Sequence, residues 1–567
     1  MHTQNYSDDK KIATVLTLDA DGAMNFFLKS EQYIGFELPE YFVFDELLEN
    51  VKKNIADSPY ETCITKRMSP DQLPDVNLDI LLNKDGRYAV RPIMVANPFL
   101  YYFMVRELCN EQSWTIVKDL FKKFQVPHIT SCALPVIPKK NESFHKSTTI
   151  LNWWSAMEQR SVELSLEYQY MFVTDITNCY GSVNPQAFDW AFSLKGTKHE
   201  RMCNNPIPAN IKKYLRAFQH GRNIGIPQGS AIFDFVGEII LGYSDLLLHE
   251  AIQEEGITAQ YEILRYRDDY RVFCNDKAQL EKISYILQHV LEGLNFRMNS
   301  GKTKISENIV TDAIKPDKLA YIYNTPIFNK KGVDFDSFEK HLLYILMFAR
   351  QYPNSGSVTT MLSDIDKRIK EWLLPQERKE NENEPSTKQD TKKETFIRQI
   401  PGGSVRAMAA VCAQIALENV GRSHYALRVL SRIVDSLTDE QEKCDIMGKV
   451  MAKLINQPNS GYNQLWLQNI TYQYDKKQGK SPYDMRLCRI VAGDTDTTLW
   501  NNSWIKPKLR SKLKVSDIVD IETLKKVTPV ITFRETRAYD EALANAQFSN
   551  SPEINSNSAG YIVVGAY

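Results

Sequence analysis

Three carboxylates in two short contexts are the residues of this chain best suited to chemistry. Asp175 closes the run TyrGlnTyrMetPheValThrAspIle (168–176), and Asp268 and Asp269 stand side by side within TyrGluIleLeuArgTyrArgAspAspTyrArgValPheCys (261–274). Magnesium prefers hard oxygen ligands and keeps several waters, so two or three carboxylates on rigid neighbours suffice to hold it. A pair of such ions about 4 Å apart serves phosphoryl transfer, one activating a hydroxyl nucleophile and one holding a triphosphate. An isolated AspAsp pair is also a common turn element, because Asp favours turns. The surroundings therefore have to decide between the two readings.

The elements that would position these groups can be read from periodicity. Residues 168–176 are aromatic and β-branched, free of Gly and Pro, and read as a buried strand. Residues 261–274 read as two short strands joined at Asp268-Asp269, a hairpin. Between them Ile232 to Glu250 has helical spacing (Ile232, Phe235, Val236, Ile239, Ile240, Tyr243) after a ProGlnGly turn. If the strand ending at Asp175 lies beside the hairpin, the three carboxylates converge on one edge.

Further motifs stand in a fixed order around them: ArgProIleMetValAlaAsnPro (91–98), AspIleThrAsnCysTyrGlySerVal (175–183), GlyIleProGlnGlySer (225–230), TyrArgAspAsp (266–269) and GlyLeuAsnPheArgMetAsnSerGlyLysThrLysIle (293–305). Over approximately residues 80 to 310 this series resembles the reverse-transcriptase family: an upstream fingers motif, then motifs A, B, C and D. The resemblance implies a right-hand polymerase of fingers and palm, α/β with an RRM-like palm. It assigns Asp175, Asp268 and Asp269 to catalysis, and these three together with Ile176 to two Mg²⁺ ions, with Mn²⁺ as a substitute. Arg91, Tyr180, Gln228, Gly229 and Lys302 fall at nucleotide-binding positions, and Tyr266 and Arg267 become candidate primer contacts.

Each assignment has a physical basis and a plainer alternative. Tyr180 beside an incoming nucleotide would clash with a 2′-hydroxyl and select dNTPs; otherwise it is a core tyrosine. Gly229 lacks a Cβ and lets backbone approach a ligand, or the ProGlnGly is simply a strand-to-helix turn. Arg91 offers a guanidinium fork to a triphosphate, with Arg87 as a weaker helper. Lys302, preferred to Lys304 because it precedes Thr303, would stand near the leaving pyrophosphate. Arg267 departs from the small or apolar residue usual before the AspAsp pair, which bears on primer use rather than on metal binding.

From about Asp336 the texture changes. Phe338 to Leu374, Val405 to Glu418, Tyr425 to Leu437 and Asp439 to Leu454 are helical in pattern and resemble a HEAT-like stack of helix pairs. A charged segment, 376–395, has no residue able to pack and reads as a disordered insertion. The expected division is an N-terminal extension (1–75), fingers and palm (76–330), an all-α repeat domain (336–545) and a flexible tail (546–567) carrying Tyr561 and Tyr567. A palm followed by helical repeats, and the wording of 174–183, are similar to bacterial abortive-infection and defence-associated reverse transcriptases. That likeness implies an anti-phage role, DNA synthesis from dNTPs, self-assembly into homo-oligomers, and in some relatives untemplated growth from a protein hydroxyl, for which Tyr561 and Tyr567 are candidates. The rivals are a retron-like or group II intron-like enzyme copying a dedicated RNA, and a non-catalytic RNA-binding assembly protein.

Bulk properties bound these readings. With 567 residues, two or more domains are expected, and 43% hydrophobic with 25% charged residues is a globular composition. No run of eighteen apolar residues supports a membrane span, and the polar N-terminus is unlike a secretory signal. Nine cysteines without a CxxC pair argue for a reducing cytoplasm, which the defence-associated likeness implies to be bacterial, and against a zinc ribbon. The net charge of −1 gives no general attraction to DNA or RNA. A local basic stretch does exist (Lys195, Lys198, Arg201, Lys212, Lys213, Arg216, Arg222), which reads either as a phosphate-backbone surface or as a solvated helix face.

Overall fold

The computed structural model describes residues 13–66, 68–84, 89–137, 154–324, 338–374, 376–377, 395–396, 400, 402–512 and 518–533. Alternation of apolar residues builds two sheets in the first half. Strands β1 (Leu78–Asn83) and β2 (Val90–Val95) form an antiparallel ribbon in which Leu82 faces Arg91 and Asp79 faces Met94. Strands β3 (Ile129–Ser131), β4 (Tyr170–Asp175), β5 (Tyr261–Tyr266), β6 (Asp269–Cys274) and β7 (Lys304–Ser306) make a five-stranded sheet of order β3-β5-β6-β4-β7. Only β3 runs parallel to its neighbour; the other pairings are antiparallel.

The period of two sorts this sheet's side chains onto two faces. Phe172, Ile263, Tyr270 and Val272 belong to the main apolar core, which also holds most of the helix Ala231–Glu254 and the inner face of Lys277–Gly293. Met171, Leu264, Tyr266 and Phe273 form a second apolar cluster with Met157, Leu164 and Ile309 on the opposite face. Asp175 and Asp269 have the same parity as Met171 and Phe273, so the carboxylates project away from the long helix. That helix is apolar almost all round, with eighteen of its residues buried, as expected of a helix inside a core.

Arg265 has the other parity and meets the helix. It is fully buried: Nε and Nη2 donate to Asp245 at 2.7–3.0 Å, while Nη1 and Nη2 donate to Glu238 at 3.1 and 3.0 Å. The second Nη1 proton reaches the Arg267 carbonyl (3.1 Å), and Nη2 is shared with Ser131 Oγ (3.0 Å). The hairpin is thereby tied to the helix by a guanidinium whose hydrogen-bonding capacity is filled.

The second half is helical: Phe338–Gln351, Gly356–Leu373, Gly402–Glu418, Ser423–Asp435, Glu440–Ile455 and Gly461–Gln478. The first five agree with the expected helices, except that Phe338 to Leu374 is divided by a turn at 352–355; Gly461–Gln478 was not expected from the sequence. Within the expected insertion, Gln376–Glu377 pairs with Thr395–Phe396; 378–394, Arg87 and the tail with Tyr561 and Tyr567 lie outside the described residues.

Beyond Gln478 the chain returns to the first half. Asn501 N donates to Asp75 O (2.7 Å), Thr65 N to Trp504 O (2.8 Å), Val43 N to Ile518 O (2.9 Å) and Asp520 N to Tyr41 O (2.8 Å). Trp500 Nε1 donates to Val95 O (3.1 Å), and Asn97 Nδ2 to Asn502 Oδ1 (2.7 Å). Both halves share one continuous apolar core.

Removing only the arginine of the buried trio strands two carboxylates. Arg265→Met is expected to lower unfolding free energy by about 3–5 kcal/mol in urea titrations, and Arg265→Met/Glu238→Met/Asp245→Leu to regain most of it. A single substitution that costs less than about 1 kcal/mol would remove the trio from its structural role.

Candidate active site

The strand and the hairpin bring the three carboxylates to one sheet edge. Asp175 lies directly opposite Asp269 in the β4–β6 register, and Ile176 N donates to Asp268 O at 3.1 Å. The hairpin turn is Arg267-Asp268, with Asp269 already the first residue of β6, and Arg267 adopts φ +52°, uncommon for a residue with a Cβ. The segment 297–299 lines the other side of Asp175. Asn299 N donates to Asp175 O (2.9 Å) and Thr177 N to Arg297 O (2.8 Å), with Ile176 between these two bonds.

Lys302 follows on this segment, and its Nζ lies 2.5 Å from Asp175 Oδ2. Lys304 points elsewhere, to Asp312 at 2.8 Å. Thr303 Oγ1 is 2.7 Å from Thr174 Oγ1 and fixes the loop to β4. Burial opposes the charge on Lys302, but the bond to Asp175 and the fields of Asp269 and Asp268 outweigh it and raise its pKa.

Residues 225–230 pack against the β1–β2 ribbon. Met94 N donates to Gln228 O (2.8 Å) and Gly35 N to Gly229 O (2.7 Å). Gly229 has φ +129°, and a Cβ there would fall 2.5 Å from Met94 O. Gly229 is thus required by backbone contact with the ribbon itself. Gln228 is half-buried, and Arg91, three residues before Met94 on β2, is exposed.

The ring of Tyr180 lies on Gly237 of the long helix, where a Cβ would come within 2.8 Å of Cε1. Tyr180 is 9% exposed, and its buried hydroxyl faces Asp234. Arg267 is directed to Asp234 of the same helix at 2.8 Å, and the Tyr266 ring is buried in the second apolar cluster. The basic stretch meets carboxylates from several segments: Lys212 pairs with Asp189, Lys213 with Glu61 (3.0 Å) and Arg216 with Asp71 (3.6 Å). Those pairings favour the solvated-face reading of these three cations.

Residues 116–335 match the family model described as reverse transcriptase (RNA-dependent DNA polymerase). This stretch is a reverse-transcriptase domain. The match spans every motif from Asp175 to Lys302, whereas Arg91 lies upstream of it. Among solved structures, the chain is similar to an apo telomerase from Candida tropicalis truncated from the C-terminal domain, at 15% identity and TM-score 0.26 over 47% of this chain and 56% of that one. It is also similar to apo telomerase from Candida tropicalis (14%, TM-score 0.27, 75% and 73% covered). Telomerase from Candida albicans with a TWJ fragment of telomeric RNA is a third likeness (12%, TM-score 0.27, 72% and 70% covered). The chain spans little more than half of the first of these, and at this distance none carries a substrate or partner across. No curated protein matches the sequence.

The reverse-transcriptase domain has donors that fit divalent cations. Asp175 is 7% exposed, and its Oδ1 is buried without a hydrogen bond. Ser230 Oγ on motif B is buried without a hydrogen bond as well, and unsatisfied buried polar groups call for an explanation. Burial, then Asp269, then Asp175 push the Asp268 carboxyl up to about 6, and burial raises Asp269 as well. Neighbouring carboxylates disfavour one another's charge unless a cation joins them. Among the described residues no three His, Cys, Asp or Glu side chains form a self-sufficient cage. Magnesium in phosphoryl-transfer sites takes substrate oxygens and water besides one or two carboxylates, so no such cage is required.

Two features of the domain were missed in the sequence. Arg265 and its partners had a signal: an arginine within an apolar strand, and two acids seven residues apart on an apolar helix. The polar groups behind Asp269 had none. Lys318 Nζ meets Glu158 at 2.6 Å, and Arg271 Nη1 donates to Ser161 Oγ at 2.7 Å, across segments far apart in the chain.

Two outcomes follow from this geometry. Gly229→Ala forces Cβ against backbone and is expected to lower stability by about 1–3 kcal/mol and to weaken nucleotide incorporation, whereas Ser230→Ala, which removes an unpaired hydroxyl, is tolerated; thermal melts and a nucleotide titration check both. For the metal-free protein the folded state keeps the Asp268 proton up to about pH 6, while the unfolded chain releases it near pH 4. Stability contributed by this group therefore falls as pH rises through that window, and Asp268→Asn should flatten the slope in chelator-treated samples unfolded at pH 5 and pH 7.

Proposed function

We propose that the chain is a metal-dependent RNA-directed DNA polymerase. The observation that carries this reading is the placement of Asp175 opposite Asp269, with Asp268 bonded to Ile176, inside the stretch that matches the reverse-transcriptase family. Asp175, Asp268 and Asp269, with Ile176, would hold two Mg²⁺ ions, which when bound lower the cost of generating a nucleophilic hydroxyl and of the charge on a triphosphate.

The chain's own residues supply positioning and charge. Arg91 reaches the triphosphate from the ribbon; Gln228 and Gly229 place the ribbon against the palm. Tyr180, braced by Gly237, meets the sugar and excludes a 2′-hydroxyl. Lys302 carries a proton beside Asp175 and serves the leaving pyrophosphate. Tyr266 and Arg267 support the primer side through the hairpin they form. Mn²⁺ substitutes for Mg²⁺, dNTPs are the substrates, and RNA or DNA is the strand partner.

The finer reading is a bacterial, defence-associated enzyme. It is supported by the wording of 174–183 and by a helical half in which Phe338–Gln351 packs on Gly402–Glu418 and Gly356–Leu373 on Ser423–Asp435, a stacking of helix pairs compatible with a HEAT-like repeat. Protein-primed or untemplated synthesis, and homo-oligomers, belong to that reading.

The test is incubation of purified chain with Mg²⁺ and each labelled dNTP or NTP, with and without RNA, followed by protease. Incorporation of dNTPs, lost by roughly 10³-fold or more in Asp268→Ala/Asp269→Ala, is expected; incorporation that survives the double substitution sinks the polymerase reading. Equal use of NTPs would remove DNA as the product. Label released only by proteolysis supports a protein primer, and freely migrating product counts against it.

A further inference from the structure

The helical half meets the β1–β2 ribbon along β1, where Val420–Arg422 and Gly461–Gln478 pack, and at the far end of the ribbon, where Asn354 bonds to it. Asn354 lies in the turn between the helices Phe338–Gln351 and Gly356–Leu373, with φ +55°, a left-handed conformation that Asn tolerates better than most residues. Its Nδ2 donates to Lys84 O (3.1 Å) and Asn83 O (3.3 Å), at the far end of β1. Its Oδ1 accepts from Gly421 N at 3.0 Å. Its backbone is held as well: N donates to Asn419 Oδ1 (2.7 Å), and O accepts from Arg422 Nε (3.2 Å). Asn419 is fully buried at the end of the helix Gly402–Glu418. One amide therefore joins the ribbon to two corners of the helical half.

The ribbon needs such a partner. A two-stranded hairpin is marginal alone, so the position of its far end is set by what it docks on. Its near end is fixed to the palm by Met94 N to Gln228 O and to the returning C-terminal segment by Trp500 Nε1 to Val95 O. Asn83 lies opposite Val90, and Leu82 opposite Arg91. The carbonyls held by Asn354 are thus one and two residues beyond the pair that contains Arg91.

We infer that Asn354 is a positioning residue for nucleotide binding: by pinning the end of the ribbon it holds Arg91 at a fixed reach from Asp175, Asp268 and Asp269. The helical half sets nucleotide affinity through this contact, and a ligand or partner that shifts the 352–355 turn alters the affinity without touching the palm. This rests on the reading of Arg91 as a triphosphate ligand.

The test uses the full chain, with KM and kcat for dTTP in the incorporation assay and amide hydrogen exchange over residues 78–95. Asn354→Gly keeps the positive φ and removes the side chain, so it separates the amide from backbone strain. It is expected to raise KM about three- to tenfold with kcat within about twofold, and to speed exchange of the ribbon about tenfold while β5 and β6 stay protected. Asn354→Asp, which cannot donate to carbonyls, should behave alike. In an Arg91→Ala background the glycine substitution should add little to KM. Unchanged KM and unchanged exchange overturn the proposal, and an equal rise in KM without Arg91 overturns the route through Arg91. If Arg91→Ala alone leaves KM unaltered, the assignment of Arg91 to the triphosphate fails, and ribbon exchange in Asn354→Gly then decides the docking by itself.

Discussion

Arg265 is wholly buried, and its charge is held between Glu238 and Asp245 on a helix that is otherwise apolar. Moving three ionised groups out of water is costly, and only close contact with filled hydrogen bonds offsets it. The trio consequently tolerates little freedom: the guanidinium fork must meet both carboxylates, Ser131 and the Arg267 carbonyl together. That last bond reaches into the turn bearing Asp268. The register of the hairpin against the long helix, and with it the height of the AspAsp pair relative to Asp175, depends on this contact more than on any apolar packing, which would accept small slides.

Around that fixed hairpin, the site is assembled by close backbone approaches. Gly229 admits Met94 where a side chain would collide, and Gly237 admits the Tyr180 ring. The ribbon carrying Arg91 is therefore seated on 225–230 through Gly229, then bonded at Val95 by Trp500 of the returning chain. A fold built this way has no clean seam between polymerase and helical halves. Trp500, Trp504, Asn97 and Asn502 close a junction that involves residues some four hundred positions apart.

Much of the site was legible. The apolar alternation of 168–176 and 261–274, the breaks around them, and the carboxylates at their ends specified a strand and a hairpin, and the helical periods from Phe338 to Leu454 specified helices. The return at 500–512 and 518–520 was not legible, because those residues pair through isolated backbone bonds and bear no periodic pattern. The basic stretch 195–222 left two readings open for a related reason: charge density is local, but the Glu61 and Asp71 that pair with Lys213 and Arg216 arrive from another part of the chain.

The sequence by itself determined the kinds of element and the set of acidic, basic and aromatic groups available at their ends, since periodicity and turn chemistry act within a few residues. Only the tertiary structure decided which groups meet. It put Lys302 on Asp175 and Lys304 on Asp312, turned Arg267 to Asp234, and brought Asn354 to the end of the β1–β2 ribbon. A charged or amide side chain encodes what it can bond to, not where its partner will stand. That choice is made by the packing of the apolar core, which places segments remote in the chain within hydrogen-bonding reach.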